Sequence, residues 1–582
     1  MKPAHEIIVQ KNVPAEMRDG TTLMSDVYRP AGNEECPVLL ARLPYGKDVS
    51  INATYMNPIK AAQRGYMVVV QDVRGRFNSE GEWYPYVNEF DDGYDTVEWA
   101  ARLPGSNGTV GMYGASYYGM TQWQAAVTGP PSLKSMAPAI TWGNYLNGAQ
   151  FRGGARELGL WVYWTEAALA PNAFFRKFRD DPQQRGEKLP DLLEAIDRVP
   201  EEYEMLPLKE LPNPGGVLPY MLEALKQDLD SDLWESLSMD GRYEDVEVST
   251  FHIGSWYDTF LGETLRQYEA MKKVALERGK PPPRLLLGPW THGTDFSNTV
   301  GDLDFGFVSS GQFLNFKGAV TDYHLRWFDA TLRDDKEALA AHPPVEVFVM
   351  GENRWRGYHE WPVPGSREEL WHLHANGILS REKPDDTPPD EYEYDPEDPV
   401  PVAGGAILMP PIYGAGARDQ RPNEVRPDVL VYTSEILTEN YTAIGPVHVA
   451  LYASSSARDT DFVARLVDVY PDGRAIIVTD GIIRASARES YPAPGVVIPT
   501  QPSLIDPCKL YEYCVDLWAT GISFLTGHRI RVEVTSSCFP RWDRNLNTGE
   551  STFYSSRSEV ARQRVFHDPE HPSCIALTVV DG

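Results

Sequence analysis

The chain has 582 residues, too many for one hydrophobic core, and its length predicts about three or four domains. Composition is that of an ordinary soluble protein, 42% hydrophobic and 24% charged, and the formal charge of −29 excludes nucleic acid and anionic membrane surfaces as partners, because both would be repelled. No run approaches the ~20 apolar residues of a membrane span.

The first residues, Met1 to Glu6, contain neither an apolar leader core nor a small-residue cleavage site. The five cysteines (Cys36, Cys508, Cys514, Cys538, Cys574) are odd in number, scattered and without a C-x-x-C pair, which predicts a reduced, cytoplasmic protein. Cys508 and Cys514 are the one pair close enough in sequence to bridge. No metal-ligand spacing is present, so no metal or cofactor is expected. His372 and His374 read as outward-facing neighbours on one strand.

In chain order, Glu6–Val9 and Leu23–Tyr28 flank a turn at Arg18-Asp19-Gly20 and predict an antiparallel hairpin. Pro37–Arg42 is a short apolar strand followed by the loop Leu43-Pro44-Tyr45-Gly46-Lys47. A helix-like segment ends at Gly65. Tyr66–Asp72 then has the β-branched content of a strand covered on both faces, and Asp72-Val73-Arg74-Gly75-Arg76 follows as a loop. A helix from Phe90 to Arg102, a strand through Val110, Met112 and Tyr113, a helix and a strand from Ser135 to Ile140 complete an α/β alternation.

The alternation stops at Trp142 and resumes with a strand at Glu247–Gly254, a helix from Leu261 to Glu277 and a strand at Arg284–Gly288. Residues 144–242 therefore read as a helical cap inserted into an α/β domain made of 1–143 and 243–350. A last helix is expected from Phe316 to Thr331. Beyond it, alternating segments such as Pro344–Val349, Val429–Tyr432, Val447–Tyr452 and Arg529–Val534 predict an all-β sandwich over 351–582.

The most informative stretch is Gly114-Ala115-Ser116-Tyr117-Tyr118-Gly119, set between a strand and a helix. Such a turn crowds the backbone, so small residues must flank the serine. It lifts the serine oxygen above the sheet edge and puts the next N–H at a helix N-terminus, where an oxyanion is stabilised. The pattern departs from G-x-S-x-G, since Tyr118 precedes the second glycine. A serine needs a base in contact and a carboxylate behind it. Asp258 and His292 each come just after a later strand, in the order Ser, Asp, His. His252 lies in a strand, His324 in a helix and His342 in a loop, whereas those from His359 onward belong to the β-rich part. Asp295 and Asp304 compete with Asp258 but do not directly follow a strand.

Met17–Gly20, Arg42–Tyr45, Asp72–Arg76, Gly114–Gly119 with Gln122-Trp123-Gln124, Gly254–Asp258 and Gly288–His292 together resemble the cocaine-esterase family of serine hydrolases, relatives of X-prolyl dipeptidyl peptidases and α-amino acid ester hydrolases. The resemblance implies an α/β-hydrolase fold with an inserted helical cap and a C-terminal jelly-roll-like β-sandwich. It implies Ser116 as nucleophile, His292 as general base and acid, and Asp258 as its orienter. The oxyanion hole it implies is the Tyr45 hydroxyl and the Tyr117 N–H; from sequence alone Tyr45 is only an aromatic in a loop. It also makes a homodimer plausible.

The amino-acid ester hydrolases read a substrate ammonium with acidic residues, two of them just after the catalytic aspartate. Here Thr259, Phe260 and Leu261 follow Asp258 and Glu263 comes only later, which argues against that specificity. Trp142, Trp161, Trp164, Trp256 and Trp290 point instead to an aromatic, mostly apolar pocket for a small-molecule ester, although each could equally be core. Amidase, peptidase or β-lactam acylase chemistry on the same triad stays open. So does a non-catalytic binding role for the β-rich part.

Overall fold

The computed structural model describes residues 5–293 and 296–580. Ten strands form the first sheet: β1 (Ile7–Glu16), β2 (Thr22–Pro30), β3 (Cys36–Leu43), β4 (Met67–Asp72), β5 (Ser106–Ala115), β6 (Leu133–Ala139), β7 (Ser249–Tyr257), β8 (Arg284–Thr291), β9 (Val345–Val349) and β10 (Arg354–Tyr358). Their order is β1-β2-β4-β3-β5-β6-β7-β8-β9-β10. The strands from β4 to β9 pair in parallel, with antiparallel partners added at both ends. Every residue of β3 and β4 is buried, as their unbroken apolar runs require when helices cover both faces.

Between β6 and β7 the chain forms an insert that is mainly helical, including Leu158–Tyr163, Ala170–Lys177, Pro182–Asp197 and Pro219–Lys226. After β10 a second sheet of eleven strands runs from Arg367–His374 to Cys574–Val579, with the long pair Tyr441–Ser455 and Tyr511–Phe524 at its heart. The parts share one continuous apolar core. Polar bonds also stitch them together: Tyr257 Oη donates to the Ile477 carbonyl (3.0 Å), Trp518 Nε1 to Asn147 (3.1 Å) and Trp542 Nε1 to Glu157 (2.9 Å).

Three expectations need correction. Val345–Val349 has the alternation of a sandwich strand, yet it extends the first sheet beside β8 and carries Arg354–Tyr358 with it, past the boundary expected at 350. The helix expected from Phe316 begins at Val320, because Asn315 and Phe316 have positive φ (48° and 54°) that no right-handed helix accommodates. His372 is buried rather than outward, since its strand has neighbours on both edges and is covered where Trp371, His372 and Leu373 sit. All five cysteines are free thiols. Among the described residues no helix is long and apolar enough to cross a membrane.

Candidate active site

Ser116 sits between β5 and the helix Tyr117–Ala126 with φ 55° and ψ −123°, a strained conformation held by its surroundings. The Ser116 N–H donates to the carbonyls of Ala139 (3.0 Å) and Ile140 (3.2 Å), and its own carbonyl accepts from Thr141 Oγ1 (2.8 Å). The flanking glycines are sterically required. A Cβ on Gly114, where φ is +136°, would lie 2.0 Å from the Tyr118 ring, and one on Gly119 would lie 2.5 Å from the Thr141 side chain. The elbow thus departs from G-x-S-x-G because the ring of Tyr118 folds back over Gly114 and Gly119 takes the place against Thr141.

β7 and β8 run three residues further than their sequences suggested, which sets Asp258 and His292 directly past their ends. His292 Nε2 lies 3.0 Å from Ser116 Oγ, and Nδ1 lies 2.6 Å from Asp258 Oδ2. The other Asp258 oxygen accepts the Phe260 N–H at 2.7 Å, so the carboxylate is fixed at both ends. Asp258 is wholly buried, His292 is 6% exposed, and the Phe260 ring meets the imidazole edge-on at 4.9 Å. Of the two competing aspartates, Asp304 is exposed and bound to Asn298, and Asp295 lies outside the described residues.

Tyr45 brings its hydroxyl to Ser116 from the loop after β3. Burial pushes its phenol up to about 12, against the pull of Trp164 and Arg76, so it stays a neutral donor. Trp164 Nε1 donates to the Tyr45 oxygen at 3.0 Å, which leaves the phenolic O–H to point elsewhere. The Tyr117 N–H is the first of the elbow helix and has no acceptor within it. The Tyr117 side chain is held apart from this work: its hydroxyl donates to Glu89 (2.9 Å) and accepts the Tyr86 N–H (3.1 Å).

Ser116 opens into a cavity of about 310 Å³, counting the part open to solvent, and Trp142, Trp161 and Trp164 line it. Trp256 and Trp290 do not. Trp256 is core between the sheets, donating to the Phe348 carbonyl (2.8 Å). Trp290 packs on Phe296 and donates to the Ser309 carbonyl (2.8 Å). The sequence reasoning missed Tyr86, Tyr145, Phe260 and Leu408 as wall residues. Phe260, two residues past Asp258, could have been found from position; Leu408 comes from the β-rich part and has no local signal. No carboxylate lines this cavity among the described residues.

The model of the X-Pro dipeptidyl-peptidase (S15 family) matches residues 19–294, and that of the X-Pro dipeptidyl-peptidase C-terminal non-catalytic domain matches 337–576. The cocaine esterase of Rhodococcus sp. (strain MB1 Bresler) is 37% identical over 98% of this chain and 98% of its own. The chain belongs to the cocaine-esterase family. It is a serine hydrolase acting on ester bonds, with the α/β fold of that family and a sheet-rich, non-catalytic C-terminal domain. Two solved relatives of this cocaine-esterase-type chain cover 99% of it and 97% of themselves. One is an α-amino acid ester hydrolase (26% identity, TM-score 0.81); the other is an aminopeptidase from a marine sediment Thaumarchaeota archaeon (25% identity, TM-score 0.79).

Proposed function

We propose that this chain hydrolyses carboxylic esters with an aromatic acyl group, through an acyl-enzyme on Ser116. The reading rests on one observation, the unbroken chain from Asp258 through His292 to Ser116 Oγ with the Tyr45 hydroxyl beside it. His292 Nε2 takes the hydroxyl proton as Oγ attacks the ester carbonyl carbon. The Tyr45 O–H and the Tyr117 N–H hold the oxygen that becomes negative. Collapse breaks the bond to the alcohol, which leaves with the proton from His292. Water then attacks the acyl-serine, giving its proton to His292, and the second collapse returns that proton to Ser116 and frees the acid.

Phe260 and the three lining tryptophans form the acyl wall. An ammonium-bearing substrate is disfavoured because no carboxylate meets that wall. Glu263, the nearest acid after Asp258, is already engaged by the N–H groups of Gly143 and Asn144 and by Asn147 and Arg266. The finer architecture belongs to the same proposal: residues 144–242 cap the site, and the C-terminal sheet is a jelly roll that lends Leu408 to the pocket.

The test is labelling by a fluorophosphonate together with turnover of acetyl and benzoyl p-nitrophenyl esters. Labelling at Ser116 and faster acylation by the benzoyl ester are expected, with both lost in Ser116→Ala. Tyr45→Phe should lower kcat by about 10²–10³. A folded wild-type protein that is neither labelled nor active would overturn the proposal.

A further inference from the structure

The loop after β4 carries Arg76, a residue the ester chemistry does not use. Its side chain is only 1% exposed. Nε donates to the Pro44 carbonyl (2.9 Å) and Nη1 to the Leu169 carbonyl (3.2 Å), while Nη2 is buried with no partner. The guanidinium lies 4.8 Å from the centre of the Trp83 ring. Burial pulls it down to about 10, and no carboxylate among the described residues offsets that. A buried cation without a counter-charge is costly, so its retention needs an explanation.

Arg76 opens onto a cavity of about 1140 Å³, counting the part open to solvent, that is separate from the one over Ser116. Two more cations line it. Arg176 donates to the carbonyls of Phe77, Ser79 and Gly81, and Lys177 to those of Gly215 and Gly216. All three cations therefore bond backbone carbonyls rather than carboxylates; Glu82 and Asp72 act on Arg176 only through the field, and Arg76 has no such partner. Tyr220 adds a buried hydroxyl, also without a partner. Among the described residues, the one carboxylate in the lining is Glu82, which is exposed. In a chain of net charge −29, this is a local reversal of sign built around two unmet buried donors.

We propose that this cavity is a binding site for a small oxyanion, a carboxylate or a phosphate. The Arg76 Nη2 group and the Tyr220 hydroxyl donate to it, and Arg176 and Lys177 supply the surrounding field. The site also adjoins the supports of the ester chemistry. Arg76 ties the Pro44 carbonyl, next to Tyr45, to Leu169, which ends the helical segment carrying Trp164.

Calorimetric titration of the full chain at constant ionic strength tests this, with acetate and inorganic phosphate as separate probes and chloride as the reference. One saturable site per chain is expected, and the tighter of the two probes identifies the headgroup chemistry. The Arg176→Gln/Lys177→Gln variant should bind about tenfold more weakly or worse, and Arg76→Met should not bind. Tyr220→Phe keeps the shape and removes one donor, so it decides the matter if Arg76→Met does not fold; weaker binding is expected there too. Ser116→Ala should bind as the wild type does, which separates this site from the ester chemistry. No saturable heat above chloride for either probe, or binding unchanged in the double variant and in Tyr220→Phe, overturns the proposal.

Discussion

Two largely buried arginines, one in each half of the molecule, are treated in opposite ways. Arg484, at the end of a strand in the C-terminal sheet, bonds Asp461 through Nε and Nη2 (2.9 Å each) and Asp543 through Nη1 and Nη2 (3.3 and 3.0 Å). Asn545 and Ser486 satisfy the neighbouring Asp459, and Asn545 also reaches Asp461. Arg76, in the hydrolase half, has two carbonyls, no carboxylate and one unmet nitrogen. The first is charge closed on itself, which fixes structure. The second is charge left open toward a cavity, the condition a ligand site needs.

The same division predicts how activity and stability come apart. Asp258→Asn acts on the working side. The amide can still accept the Phe260 N–H, but it no longer holds His292 in the tautomer that accepts the serine proton. A fall in kcat of about 10⁴ is expected with the melting temperature nearly unchanged, read from ester turnover beside a thermal melt. Arg484→Leu acts on the closed side and leaves Asp461 and Asp543 buried without their cation. A loss of about 3–5 kcal/mol in unfolding free energy is expected, with kcat per folded molecule preserved. A lower kcat at unchanged stability in Arg484→Leu would break the comparison.

Much of the hydrolase half could be read in advance because its signals are local. β3 and β4 are apolar runs, the elbow serine is boxed by glycines, and Asp258 and His292 each follow a strand. What escaped depends on packing between distant segments. Trp142 and Trp256 are both tryptophans near a site segment, and only the fold decides that one faces the cavity while the other donates to Phe348. Leu408 reaches the pocket from the far domain, and the Val-Glu-Val-Phe-Val pattern of β9 suits a sandwich strand as well as the last parallel strand of the first sheet. Arg76 was visible as a loop residue, but its missing counter-charge exists only in three dimensions.

A third buried arrangement sharpens the comparison with the smallest effect, because it pairs acid with acid. Glu166 in the helical insert is fully buried, neither of its oxygens meets an N–H donor, and its neighbour is the carboxyl of Glu202. Burial first, and then Glu202, holds the Glu166 carboxyl well above the usual carboxylate range, so the folded protein keeps a proton there. Burial raises the Glu202 carboxyl too, against the pull of its bond with Glu166 and of Arg198. The unfolded chain loses that proton near the ordinary glutamate value and binds fewer protons than the folded one above it. Stability from this pair is therefore full below that value and declines as pH rises toward the elevated folded value. Glu166→Gln retains a donor toward Glu202 and cannot ionise. It should match the wild type near pH 4.5 and exceed it by roughly 1 kcal/mol or more at pH 8, measured by denaturant unfolding at both pH values. Equal stability of the two proteins at pH 8 would mean the carboxyl pair ionises freely in the folded state, and that this half of the molecule tolerates an uncompensated negative charge as readily as it tolerates Arg76.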